Sequence, residues 1–255
     1  MIALFNLLLI TISLLIFSCS GANRNKNATI DERFKVGMEN LENEKYLKAQ
    51  SDFKYVVMRG SGTDLGDDAQ YYLGESFFRN KEYILAIAEY EKLTRRMGYS
   101  PFTENARFQI CEAYRIESPK YYHDQEYTEK ALERYQEFLD DFPNTLLKEE
   151  VISSIDIMRE KLGTKLYETG ILYIKLEEYE SAIMTFQSVI DTYYDTEIIN
   201  DAHQGMIIAL AQNRDIDKAI LLLNKYEKVL IENGLYEDAK NKVEKVQKRL
   251  QRKEN

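Results

Sequence analysis

The chain has 255 residues, of which 44% are hydrophobic and 30% charged, enough apolar matter to fold. Three prolines, eleven glycines and no tryptophan, with abundant Glu, Lys, Leu and Ile, favour long helices over a many-turned sheet. A net charge of −9 excludes a general nucleic-acid binder, which needs a basic face.

Residues 1–17, MIALFNLLLITISLLIF, carry no charged side chain and are short for a membrane span, so they predict the apolar core of a signal peptide over 1–18. The run ends in Ile16-Phe17-Ser18-Cys19, which resembles a bacterial lipobox: an aliphatic residue, two positions on a small one, then cysteine. That resemblance implies cleavage before Cys19, lipidation there, and a multi-chain anchor strong enough to hold the protein on a membrane. Residues 19–29, rich in Asn and Ser, read as the tether. With Cys19 acylated, Cys111 has no intramolecular disulfide partner.

Beyond the tether the chain repeats itself. Aligned on Gly37, Gly74 and Gly170, three segments share an aromatic three residues earlier (Phe34, Tyr71, Tyr167). They also share a tyrosine nine later (Tyr46, Tyr83, Tyr179) and an alanine twelve later (Ala49, Ala86, Ala182). A second aromatic follows sixteen later (Phe53, Tyr90, Phe186). A fourth copy has Cys111 in the glycine column and Ala131 and Tyr135 after an eight-residue insertion near Glu117–Asp124, where Ser118-Pro119 breaks the helix. A fifth keeps Ala219 and Leu223. The pattern resembles the tetratricopeptide repeat, whose helix pairs cross closely at small residues and stack into a solenoid.

The predicted helices run about 30–43, 46–58, 65–79, 82–97, 102–117, 125–141, 146–175, 178–193, 197–212, 215–232 and 235–252. The fold expected is therefore all-α, a tetratricopeptide-type solenoid of about five helix pairs. Residues 30–142 form repeats 1–3 and 143–255 form repeats 4–5. The proline-free stretch 146–175 is one long helix, or two nearly collinear ones, linking the two groups. The last helix carries Leu235, Ala239, Val243, Val246 and Leu250 as one apolar stripe and caps the open end. From Lys240 onward it has seven Lys or Arg against two Glu; these suit the negative end of the helix dipole, or a surface for an acidic partner or anionic lipid.

No constellation of residues points to catalysis, and no cofactor or metal is expected. Cys111 stands in a packing column, and the two histidines, His123 and His203, are eighty residues apart without an HExxH or CxxC motif. Residues three after the small column, Asn40, Phe77, Tyr114 and Tyr173, are candidates to line a concave groove for an extended peptide, or else to pack between repeats.

The stretch His123-Asp124-Gln125, then Thr128, Lys130-Ala131, Tyr135, Phe138 and Phe142-Pro143-Asn144-Thr145, is the most specific segment. With the lipobox and five repeats it resembles the BamD family, the tetratricopeptide lipoproteins of outer-membrane β-barrel assembly, over about residues 28–232. Here Arg59–Gly62, Met97–Ser100 and Tyr194-Asp195 stand where family members often have an aromatic-Pro turn. The resemblance implies an outer-membrane lipoprotein facing the periplasm. Its C-terminal repeats would hold an insertase, and its N-terminal groove would take unfolded outer-membrane proteins through Asn40, Phe77 and Tyr114. A secretin pilotin or a coordinator of cell-envelope synthesis would share the anchor, fold and groove.

Overall fold

The computed structural model describes residues 28–254. The first described turn shows why a helix begins there. Thr29 accepts from the Glu32 amide at 3.2 Å while Glu32 accepts from the Thr29 amide at 2.9 Å, a reciprocal box that satisfies two amides the helix leaves orphaned. Twelve helices follow among the described residues. They are α1 (Ile30–Glu42), α2 (Tyr46–Arg59), α3 (Asp64–Arg79), α4 (Tyr83–Arg96), α5 (Thr103–Glu117) and α6 (Glu126–Asp141). Then come α7 (Lys148–Lys175), α8 (Tyr179–Thr192), α9 (Ile199–Gln212), α10 (Ile216–Lys225), α11 (Glu227–Glu232) and α12 (Tyr236–Glu254). The chain is an all-α protein of tetratricopeptide-type helix pairs.

Packing explains the small column. A Cβ added to Gly37 would sit 2.8 Å from Phe53, one on Gly74 would sit 2.6 Å from Tyr90, and one on Gly170 would sit 2.6 Å from Phe186. These rings are fully buried, so the glycine lets one helix of a pair rest on the aromatic of the other. The fifth pair replaces both members of this contact. Ile207 fills the small position, 0% exposed, and the residue sixteen later is Leu223 instead of an aromatic.

The turn inside each pair is also shared. Glu44, Lys81, Glu177 and Arg214 have φ of 58°, 62°, 62° and 69°, the left-handed region that ends a helix. Each stands seven residues after its small column. The next amide then reaches back to the helix: Lys45 to Asn40 O, Glu82 to Phe77 O, Glu178 to Tyr173 O and Asp215 to Leu210 O, at 2.8–3.0 Å. The third copy holds Ser118 at this place, and there the insertion leaves the pattern.

The chain separates into two compact units, one ending at Ala106 and one beginning at Arg107. The sequence boundary at 142 therefore falls inside the second unit. The physical reason is a continuous core: Cys111, Ala131, Tyr135 and Phe138 of the third repeat pack with Val151 and Met158 of α7. The long helix is unbroken over 28 residues, but it joins the third repeat to the fourth, and not one unit to the other. Its first half closes the third repeat's core, and its second half supplies Gly170 to the fourth. The helix expected over 215–232 is interrupted at Tyr226, whose ring stacks on His203 with centroids 3.7 Å apart.

Candidate functional site

The sequence-predicted groove residues fall in both units, and each has a neighbour that accounts for it. In the first unit the Asn40 amide donates to Asp52 at 2.8 Å, and Asp52, itself buried, also pairs with Arg33. Phe77 is only 4% exposed and lies beneath the ammonium of Lys54, 4.9 Å from the ring centroid. It packs rather than presenting a face to a ligand. In the second unit Tyr114 is half-buried and leans on Tyr127, centroids 6.1 Å apart. Tyr173 belongs to the rim of the fourth and fifth repeats' core. At Asn40, Phe77 and Tyr173 the physical cause is the turn geometry: each stands at the end of its helix, beside the left-handed turn into the second helix.

Polar groups do recur one residue after the small column, where sequence reading did not look. Glu75 accepts the Tyr90 hydroxyl at 2.9 Å and Arg79 Nε at 2.7 Å. Glu112 likewise accepts the Tyr135 hydroxyl and Arg115 Nε, the latter at 3.0 Å. Burial and the adjacent carboxylate raise both phenol pKa values, so the hydroxyls donate. The side-chain hydrogen bond from each Glu raises the Arg pKa, which keeps the guanidinium charged. Where the aromatic is Phe53 or Phe186, the residue after the glycine is Met38 or Ile171. A buried hydroxyl needs an acceptor and a phenyl ring does not. That pairing was the available signal in the sequence.

The insertion of the third repeat is fixed by a polar knot. Gln125, buried, donates to the carbonyls of Lys120 at 2.9 Å and His123 at 3.1 Å, and accepts from the Thr128 hydroxyl at 2.7 Å. Asp124 closes the turn ahead of α6 by accepting from the Glu126 amide at 2.9 Å. Two lysines of α7 hold the loop from the other side: Lys161 donates to Ser118 Oγ and Lys165 to His123 O, each at 2.7 Å. A hollow of about 440 Å³ opens beside this knot, lined by Gln125, Glu129, Leu162, Lys165 and Tyr193 among others.

The turn between α8 and α9, which lacks a proline, is closed by charge instead. Arg159 grips both oxygens of Asp195 at 3.0 and 2.7 Å and donates to the Thr192 carbonyl at 2.6 Å. Glu160 accepts from the Glu197 amide at 2.8 Å, just ahead of α9. In the first unit, the Thr63 hydroxyl donates to Gly60 O at 2.7 Å and closes the Arg59–Thr63 turn.

Cys111 is buried and its thiol donates to Arg107 O at 3.2 Å; burial pushes its pKa far up, so it is a packing group and not a thiolate. Among the described residues, no group of three or more His, Cys, Asp and Glu side chains could hold a metal ion. Also among them, no helix is long and apolar enough to cross a membrane. Cys19 and the segment before it lie outside the described residues.

Comparison with known proteins adds three findings. The chain is 25% identical to the outer membrane protein assembly factor BamD of Rickettsia prowazekii (strain Madrid E), over 74% of this chain and 76% of that protein. Among solved structures it is similar to the TPR2AB-domain:pHSP90 complex of yeast Sti1: 13% identity, 87% and 84% of the two chains, TM-score 0.48. It is also similar to a thermophilic TPR protein of Thermus thermophilus, at 15% identity over 86% and 98% of the chains, TM-score 0.35. The profile of the family described as YfiO, outer membrane lipoprotein, matches residues 26–220, most of the chain, and so the protein belongs to the YfiO/BamD family of outer membrane lipoproteins.

Proposed function

We propose that the protein is a non-catalytic scaffold of outer-membrane β-barrel assembly. It is anchored by lipid on Cys19 at the periplasmic face of the outer membrane. Its C-terminal repeats hold a periplasmic domain of a BamA-like insertase, and its N-terminal repeats receive unfolded barrel proteins. The family match over residues 26–220 carries this reading. The Gln125–Thr128 knot supports it, because the stretch that resembles the BamD family is held by side-chain hydrogen bonds from Gln125 and Thr128.

In the first unit Asn40, half-buried, is a proposed contact for extended, aromatic-rich substrate chain, with Phe77 behind it under Lys54; in the second unit the half-buried Tyr114 is another such contact, taken by itself. No cofactor takes part, and no nucleic acid is bound.

The test is crosslinking in cells followed by purification of this protein and identification of what is attached. Recovery of an insertase with tandem periplasmic domains is the expected result. Recovery of a secretin, with no insertase, would refute the reading in favour of a pilotin.

A further inference from the structure

The second unit ends in a groove that the packing of repeats does not explain. Helix α12 lies across α9 and α10, with Ala239, Val243 and Val246 turned inward and buried. Between α12 and the helices Ile174 and Ile208 belong to, a groove of about 900 Å³ remains open. Its floor is apolar: Ile208 is 7% exposed, Val246 3%, and Ile174 half-buried. The amide of Gln212 stands beside them.

The wall on the α12 side is basic. Lys242, Lys245, Lys248, Arg249 and Arg252 line it, against the single carboxylate of Glu244. Glu244 is engaged by Lys248 at 3.3 Å, and Lys242 by Asp238 at 2.8 Å. Lys245 and Arg249 are exposed and make no ion pair among the described residues. In a chain of net charge −9, this is a concentrated excess of positive charge.

The helix dipole does not account for it. That effect fades within the last turn, whereas Lys242 and Lys245 precede Glu254 by two turns or more. An anionic bilayer does not account for it either. A flat surface would meet the cations and leave the recessed Ile208 and Ile174 untouched. A ligand that satisfies wall and floor together carries carboxylates and an aliphatic or aromatic side chain on one narrow strand or helix.

We propose that this groove docks an acidic segment of a partner protein, its carboxylates facing Lys245 and Arg249 and an apolar side chain seated over Ile174 and Ile208. The inference deepens the reading of the C-terminal repeats as the partner-holding half. It rests on that reading only in taking the partner to be a protein.

The test is fluorescence anisotropy of the full mature chain with labelled twelve-residue peptides. One repeats Leu-Glu-Glu, a second Ser-Glu-Glu, a third Leu-Lys-Lys. The first should bind, and its affinity should fall as salt rises, since the Debye length shrinks from about 10 Å at 0.1 M to about 3 Å at 1 M. The double variant Lys245→Glu/Arg249→Glu should weaken it about tenfold or more, from two reversed charges at an open surface. Lys228→Glu, a cation on α11 away from the groove, should leave binding unchanged. Helical circular dichroism confirms that both variants are folded.

Equal binding of the Ser-Glu-Glu peptide, or loss on Lys228→Glu to the same degree, would overturn the proposal. So would capture by phosphatidylglycerol vesicles that Lys245→Glu/Arg249→Glu abolishes while Leu-Glu-Glu binding persists. If peptides fail but crosslinking still recovers the insertase, the groove inference alone falls. If the peptide binds and the insertase is absent, the assembly reading falls and the groove stands.

Discussion

Replacing Gly170 by alanine tests the repeat geometry at its tightest point. The new methyl would stand 2.6 Å from Phe186 Cε1 and 2.8 Å from Cζ, inside any tolerable contact. The ring has nowhere to retreat, because a Cβ on Gly205 would also lie 2.6 Å from it on another side, so the phenyl group is pinned between two glycines. Overpacking of this kind costs about 1–3 kcal/mol. Alanine in a helix interior returns about 1 kcal/mol relative to glycine. With a 2.6 Å clash placing the cost in the upper part of that range, about 2–3 kcal/mol, the net loss should be about 1–2 kcal/mol, read from the urea midpoint of the C-terminal unit by circular dichroism at 222 nm. Phe186→Leu alone leaves a void and also destabilises. Together the two changes should cost less than their sum by about 1 kcal/mol, since the void left by the ring makes room for the new methyl. Strict additivity, or an alanine variant as stable as the parent, would show that the glycine column does not act through ring contact.

Other consequences are equally open to measurement. Tyr90→Phe removes a hydroxyl from buried Glu75 and should cost about 1–2 kcal/mol in urea unfolding, whereas Phe53→Tyr would place a hydroxyl near Met38 with no carboxylate after the glycine and should also destabilise. His203, stacked on Tyr226, has its pKa lowered to about 4, first by burial and then by Lys225. The folded value lies below the unfolded one near 6.5, so the unfolded chain binds the proton first and stability falls as pH drops from about 6.5 towards 4. His203→Gln should flatten that part of the stability–pH curve; an unchanged curve would mean that the imidazole is not desolvated. Lys81→Gly, at φ 62°, should raise stability by about 0.5 kcal/mol, because relief of left-handed strain exceeds the entropy cost of glycine.

Much of this fold was legible because its tightest contacts are also its most regular. Gly37, Gly74 and Gly170 could be aligned by eye, and each turned out to face its own buried ring. Cys111 could be read as a packing residue from its column alone. The fifth repeat was legible only in its second helix, through Ala219 and Leu223, because Ile207 stands in its small column and a leucine replaces the aromatic. The left-handed turn was hidden because Glu, Lys and Arg occupy it in place of glycine. For Phe77 the sequence left groove and packing both open, because spacing along a helix gives an angle about its axis but does not reveal that the helix ends there and that Lys54 lies over the ring. The break at Tyr226 carries no proline or glycine; the ring there stacks on a histidine of another helix, a contact no local pattern records. The division after Ala106 depends on how Val151 and Met158 close the third repeat's core, a tertiary fact.

The central claim is that this lipoprotein serves the assembly of many barrels. Its most direct test is depletion in the native cell followed by quantitative proteomics of the outer membrane. The account predicts that unrelated β-barrel proteins fall together, while lipid-anchored proteins of the same membrane keep their abundance. Loss confined to one secretin and its export system, with the other barrels unchanged, would contradict it.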